Sequence, residues 1–233
     1  MSATGSTVLG SLLRRYRVFL WPIGIVATTA AGLGLLVDLL TGRATGSVWE
    51  HAGGPVRWVF IFGLVITPMM LPPYLAHGVT RRTFTWAAAL ASGLLVLLTS
   101  AFLALGFLVE RAVYAALDAP QTLDGRHLFT DPVQVHLVLA EYALLASGYL
   151  VAGWLVGSAY YRFGGWRGSL ALPLTAAPAL VVEVLLGAGW FGLRDAVAAG
   201  TAVAILLAVA VVGLALVALR LLTRTVPVRP VRR

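Results

Sequence analysis

The chain has 233 residues, of which 60% are hydrophobic and 11% are charged, and its formal net charge is +8. Soluble domains carry about 25% charged residues, so this chain has too few to cover a water-facing surface. The composition therefore excludes a soluble enzyme and predicts an all-α, polytopic integral membrane protein.

The chain contains neither cysteine nor lysine, and each absence excludes a class of site. Without cysteine it can form no disulfide, thiolate nucleophile or cysteine metal site. Without lysine it cannot carry the GxxxxGK[ST] loop that binds ATP phosphates. The four histidines, at positions 51, 77, 127 and 136, lack metal-binding spacing. We therefore expect no metal and no cofactor on this chain, and we expect any ATP to bind a partner subunit.

Six apolar runs are long enough to cross roughly 30 Å of hydrocarbon at about 1.5 Å per residue. They cover residues 18–40, 56–75, 84–109, 133–161, 169–186 and 196–222. The fifth run is marginal because it contains two prolines and Glu183. These runs predict a six-helix domain over residues 18–222, with a cytoplasmic helix before it (1–17) and a basic cytoplasmic tail after it (223–233).

The arginines indicate the orientation of the six spans. Twelve lie on the side that holds both termini, and five lie on the other side. Because arginine-rich flanks normally stay in the cytoplasm, we expect both termini inside the cell. The arginines border the spans, so membrane lipid explains the positive charge better than nucleic acid does.

The segment before the first span carries an apolar stripe formed by Leu9, Leu12, Leu13 and Tyr16. Three arginines lie outside this stripe. The segment is therefore either an ordinary basic flank or an amphipathic helix in the headgroup layer.

A turn is predicted between the second and third spans. Pro72 and Pro73 donate no backbone hydrogen bonds, so the second span should bend or end near them. Thr80 can then cap a new helix, and Arg81 and Arg82 follow it directly. Paired arginines at a membrane boundary are commonly determinants of topology, and the sequence leaves that interpretation open.

These features resemble the membrane subunits of type-2 ABC transporters, in particular actinobacterial members. The resemblance rests on the N-terminal segment, the six spans, and the segments Gly78–Phe84 and Tyr161–Trp166. It implies a permease in the plasma membrane of a bacterium, which exports its substrate as a homodimer or with a second permease. It also implies a separate ABC ATPase subunit that binds the ATP.

In that family the loop after the second span docks on the ATPase. Carried over to this chain, the resemblance assigns ATPase coupling to Val79, Thr80, Arg81, Arg82 and Phe84. The connection over residues 187–195 is short for the external element that many members have there.

Two acids fall within the predicted spans and are candidates for the substrate path, because a buried acid is costly to retain. Glu141 is interpreted either as a packing residue or as part of the path, and Glu183 as an end residue that reaches the interface or as part of the path. Gly153 and Gly157 form a GxxxG pattern, which indicates close packing within the chain or a homodimer seam.

Two other function classes remain open at this stage. The chain could be the substrate-capture subunit of an importer, which would retain a small ligand by itself. It could also be a membrane enzyme that uses Glu141, Glu183 and His136 on a lipid substrate.

Overall fold

The computed structural model describes residues 3–41, 46–51, 55–118, 121–123, 125, 127–187 and 200–224. These residues form eight α-helices and one π-helical stretch, and the only extended pairing among them is a bridge between Gly46 and Thr122. The α-helices are α1 (Ala3–Thr41), α2 (Val48–His51), α3 (Pro55–Val65), α4 (Leu71–Ala76), α5 (Arg81–Ala116), α6 (Val135–Leu170), α7 (Leu172–Leu186) and α8 (Thr201–Arg224).

The all-helical character predicted from composition is confirmed among the described residues, and their long apolar helices indicate a multi-pass membrane protein. Five stretches are long and apolar enough to cross a membrane. Helix α7 is apolar but has only 15 residues, which at about 1.5 Å per residue is shorter than the hydrocarbon layer. The first four residues of the predicted sixth span, the connection 188–195 and the tail after Arg224 lie outside the described residues.

Helix α1 is continuous from Ala3 to Thr41, so no break separates the predicted N-terminal segment from the first span. The stripe assigned to the headgroup layer packs largely against protein. Leu12 and Tyr16 are buried, and the Tyr16 ring meets the Phe62 ring edge-on at 5.3 Å. Lipid and protein interior are equally apolar, so the stripe by itself could not identify what covers it.

Helices α3 and α6 run parallel and pack backbone against backbone through glycines. A Cβ atom at Gly153 would lie 2.0 Å from the carbonyl oxygen of Phe60, and one at Gly157 would lie 2.0 Å from that of Leu64. Gly63 makes the reciprocal approach to α6. The GxxxG pattern therefore packs within the chain, where missing side chains allow close contact.

The second span changes its hydrogen bonding before the two prolines. The π-helical stretch Ile66–Met70 lies between α3 and α4, and Pro72 and Pro73 follow it in the first turn of α4. Thr67 in this stretch hydrogen-bonds to the Ser158 hydroxyl at 2.7 Å and accepts the Trp154 indole N–H at 2.9 Å. These contacts join the irregular part of the span to α6.

The molecule has two chemically distinct ends. We call the end where α1, α5 and α7 finish the acidic end, because all seven Asp and Glu residues that the structure describes lie toward it. We call the other end the basic end. It holds the start of α1, the turn between α4 and α5, the junction of α6 and α7, and the finish of α8, whose Leu222 carbonyl accepts a hydrogen bond from Arg162.

The glycine contact between α3 and α6 predicts a measurable loss of stability. Gly153→Ala should lower the free energy of unfolding by about 1–3 kcal/mol, because its Cβ would overlap the Phe60 carbonyl. Gly93→Ala on α5 is the matched control, since nothing lies within 4 Å of its added Cβ. Thermal unfolding in mild detergent compares the two variants, and equal midpoints would contradict the close approach.

Candidate functional site

Three buried carboxylates lie at the acidic end of the molecule. Glu110 on α5 is 6% exposed, Glu141 on α6 is fully buried and Glu183 on α7 is 2% exposed. Each one has its own hydrogen-bond partners. Together they form a polar layer across the helices at this end.

Glu183 joins three helices. Its Oε1 accepts a hydrogen bond from Arg57 Nη2 on α3 at 2.6 Å, and its Oε2 accepts one from the Tyr149 hydroxyl on α6. The Arg57 guanidinium also lies 6.0 Å from the centre of the Tyr149 ring. A buried carboxylate paired in this way holds α3, α6 and α7 in a fixed arrangement.

Glu141 binds the connection between α5 and α6. His127 Nδ1 lies 2.7 Å from Glu141 Oε1, and the backbone N–H of Leu128 donates to Oε2 at 2.7 Å. The other ring nitrogen of His127 lies 3.3 Å from a carboxylate oxygen of Glu50 on α2. His127 therefore connects α2 to α6 through two acids.

The two acids change the protonation of His127. Burial alone would lower the pKa of the imidazole, but Glu141 and Glu50 stabilise the protonated form and raise this pKa to about 9. The ring also stacks against Phe129 at 4.7 Å. His127 is thus protonated at neutral pH, between two carboxylates.

Glu110 fixes the segment before α2. Its carboxylate accepts hydrogen bonds from the Ser47 hydroxyl at 2.5 Å, the backbone N–H of Trp49 at 2.8 Å and the Gln121 side-chain amide at 2.6 Å. The Trp49 indole N–H donates to the Leu103 carbonyl at 2.9 Å. All the donors to Glu110 that the structure describes are neutral.

These contacts differ from the interpretations of the sequence. Glu183 does not reach out to the interface, because it is buried against Arg57 and Tyr149. Glu141 and Glu183 bind different partners, and His136 is exposed on α6. The structure therefore does not gather the three residues proposed for a membrane enzyme into one reacting group.

Sequence reasoning missed Glu110, Arg57 and His127. The predicted third span ends at residue 109, one residue before Glu110, although α5 continues through it to Ala116. A signal was available, because Arg57 is the only basic residue within the second apolar run, 56–75, and lies at its start. A charge in that position needs an acid partner from another helix.

The residues assigned to ATPase coupling lie at the basic end. Thr80 caps α5 by accepting the backbone N–H of Thr83 at 3.2 Å, as its position predicts. Thr80 and Arg82 are exposed, and Val79 and Arg81 are partly exposed. Phe84 is 2% exposed and packs against the Tyr74 ring at 5.3 Å, so its ring faces the chain itself and not a partner.

Within the described ranges, no group of three or more His, Asp or Glu side chains is placed to bind a metal ion. The polar layer instead holds helices and their connections together through hydrogen bonds. Comparisons with family models, with curated proteins and with solved structures gave no match.

The ion pair of Glu183 and Arg57 predicts non-additive effects of substitution. Either single variant, Glu183→Leu or Arg57→Leu, should cost about 3–5 kcal/mol, because it leaves one buried partner without the other. The double variant should cost less than the sum of the two. A double-mutant cycle by thermal unfolding checks this, and strictly additive losses would show that the pair contributes no coupling.

His127 predicts a dependence of stability on pH. Its pKa of about 9 in the fold exceeds the ordinary value of about 6.5. Its contribution is therefore complete below pH of about 6.5 and is lost as pH rises through about 9. The difference in unfolding free energy between the native chain and His127→Gln should shrink between about pH 6 and pH 9.5. A difference that stays constant over this range would be incompatible with the raised pKa.

Proposed function

We propose that this chain is the membrane-spanning subunit of an ATP-driven type-2 ABC exporter. It would work as a dimer and would be driven by a separate ATPase subunit bound at the basic end. It would lie in a bacterial plasma membrane, with both termini and the turn between α4 and α5 in the cytoplasm. The chain itself would perform no covalent chemistry.

The observation that carries this proposal is the course of helix α5. This helix begins at Arg81, beside the exposed turn, and continues without a break to Ala116. Its 36 residues span about 54 Å at about 1.5 Å per residue. A single rigid helix therefore connects the turn at one end with Glu110 and its contacts at the other.

A rigid connection of this kind suits the transfer of mechanical work. An ATPase can drive a membrane partner only if its two states make different contacts with that partner. Displacement of the Arg81 end of α5 would move Glu110 at the other end, together with the segment it holds. Because Ser47 and Trp49 both donate to Glu110, that movement would reach α2 and the start of the second span.

The chemistry of the turn also fits a docking surface. Arg82 is exposed and Arg81 partly so, and arginine is enriched at the centres of protein interfaces. Thr80 fixes the direction of the helix through its cap. With Phe84 buried, the docking surface reduces to Val79, Thr80, Arg81 and Arg82.

Loss of both arginines should uncouple the ATPase. In the double variant Arg81→Ala/Arg82→Ala, the affinity for the co-purified ATPase subunit should fall about tenfold or more. ATP hydrolysis stimulated by the chain should fall with it, while membrane insertion stays normal. Measurements in proteoliposomes test both quantities.

Arg167→Ala is the matched control, because Arg167 is exposed at the same end but lies beyond the break in α6 at Gly164, outside the turn between α4 and α5. Its variant should keep the affinity and the stimulated rate. Full coupling in the Arg81/Arg82 variant would overturn the proposed docking surface.

A further inference from the structure

A cleft of about 250 Å³ lies between α1 and α5, in the half of the molecule toward the acidic end. Its α5 wall includes Phe102, Leu105, Gly106 and Val109, which recur at spacings of three, one and three and so share one helical face. Leu105 is 60% exposed, so the cleft is open at the side of the helix bundle.

The α1 wall is built from small and apolar residues. Thr28, Ala31, Gly32 and Leu35 line it, again on one face of the helix. Nothing lies within 4 Å of the position that a Cβ of Gly32 would take. The cleft is therefore unobstructed at Gly32, where α1 carries no side chain.

Trp49 lines the cleft and is held in place by its own contacts. Its indole lies over Gly106, where an added Cβ would come within 1.8 Å of the ring. The backbone and indole N–H groups donate to Glu110 and to the Leu103 carbonyl. The cleft is thus preformed, which lowers the entropic cost of binding a ligand.

The end of the cleft is acidic. Glu110 lines it, and Ser47, which donates to Glu110, lines a neighbouring cavity of about 430 Å³. Asp38 lines that second cavity and follows Ala31 by seven residues, which places it on nearly the same face of α1 two turns farther on. Among the described residues that line the two cavities, none is an arginine.

We propose that this cleft binds a single-chain amphiphile with a cationic head group. The chain would lie between α1 and α5, and the cation would lie at Asp38 and Glu110. The volume is below the range of about 300–1,000 Å³ that is usual for drug-sized ligands, so it suits one chain better than two. Asp38 and Glu110 would repel a negatively charged phosphate head group, so the site does not suit an anionic lipid.

This inference concerns binding by the chain alone. It does not rest on the proposed function. A failure of binding would leave the ATPase docking surface standing, and a failure of ATPase coupling would leave the binding result standing.

The direct test is equilibrium binding to the full chain in phosphatidylcholine nanodiscs. Radiolabelled dodecyltrimethylammonium is the probe. Dodecanoate, an anion that also has a chain of about twelve carbons, is the matched control. After subtraction of partitioning into empty nanodiscs, the cation should bind saturably and the anion should not. Equal saturable binding of both would overturn the assignment of a cationic head.

Two pairs of variants test the two parts of the site. Gly32→Leu fills the cleft, and Gly24→Leu on the same helix is its control because both positions have open space. Asp38→Asn removes the charge, and Asp118→Asn is its control, an exposed acid in a left-handed conformation that asparagine tolerates. Gly32→Leu and Asp38→Asn should each weaken binding about tenfold, and both controls should leave it unchanged.

A photoactivatable derivative of the same cation locates the site without any variant. Cleavage at arginine would release peptides covering residues 18–43 and 83–111, which contain the two walls. Labelling should concentrate in these two peptides and should be displaced by unlabelled dodecyltrimethylammonium. Uniform labelling of all spans, or unchanged binding in Gly32→Leu, would overturn the proposal.

Discussion

The structure depends on the cost of leaving a polar group without a partner beside hydrocarbon. Water is absent there, so the protein must supply each hydrogen bond itself. The three buried carboxylates at the acidic end meet this requirement through different helices and connections. Glu183 binds Arg57 and Tyr149, while Glu141 binds His127 and the backbone of Leu128. The same contacts fix where the helices lie. The hydrogen bonds that stabilise the buried acids therefore also position the helices.

The sequence predicts the all-helical character well because the apolar runs are long and their charges are few. Helix α5 extends farther than its predicted span, since a helix can continue past the hydrocarbon layer into the interface. Helix α6 is interrupted at Gly164, which has a φ of 82°, close to the predicted end of the fourth span at residue 161. The Thr80 cap was also predictable, because it depends on local geometry alone. Local patterns therefore define most of the elements in this chain.

The contacts of the candidate site were not predictable in the same way. Glu110 meets Ser47 across 63 positions of sequence, and Arg57 meets Glu183 across 126. No local pattern encodes such pairs, because they depend on how α2, α3 and α7 are placed in space. The apolar stripe of α1 and the ring of Phe84 show a second limit. The pattern of apolar residues in the sequence is the same whether lipid, a partner or the chain itself covers the surface.

The proposed docking surface and the proposed binding cleft lie toward opposite ends of α5. The exposed turn at the basic end begins α5, and the cleft at the acidic end uses the same helix as a wall. Movement of α5 along or across the bundle would therefore change the shape of the cleft against α1. This arrangement would let a partner bound at one end alter the affinity for a ligand at the other. Such coupling requires two conformations of the chain that differ in their contacts with the partner and in their contacts with the ligand.

The most direct test of this account is the side of the membrane on which each end of the molecule lies. The chain contains no cysteine, so single cysteines can be introduced without removing any. Thr4→Cys and His77→Cys mark exposed positions at the basic end, and Thr130→Cys marks one at the acidic end. With a membrane-impermeant maleimide, Thr130→Cys should be labelled in intact cells, and the other two only after the membrane is permeabilised. Labelling of Thr4→Cys or His77→Cys in intact cells would contradict the account, because the docking turn would then face away from ATP.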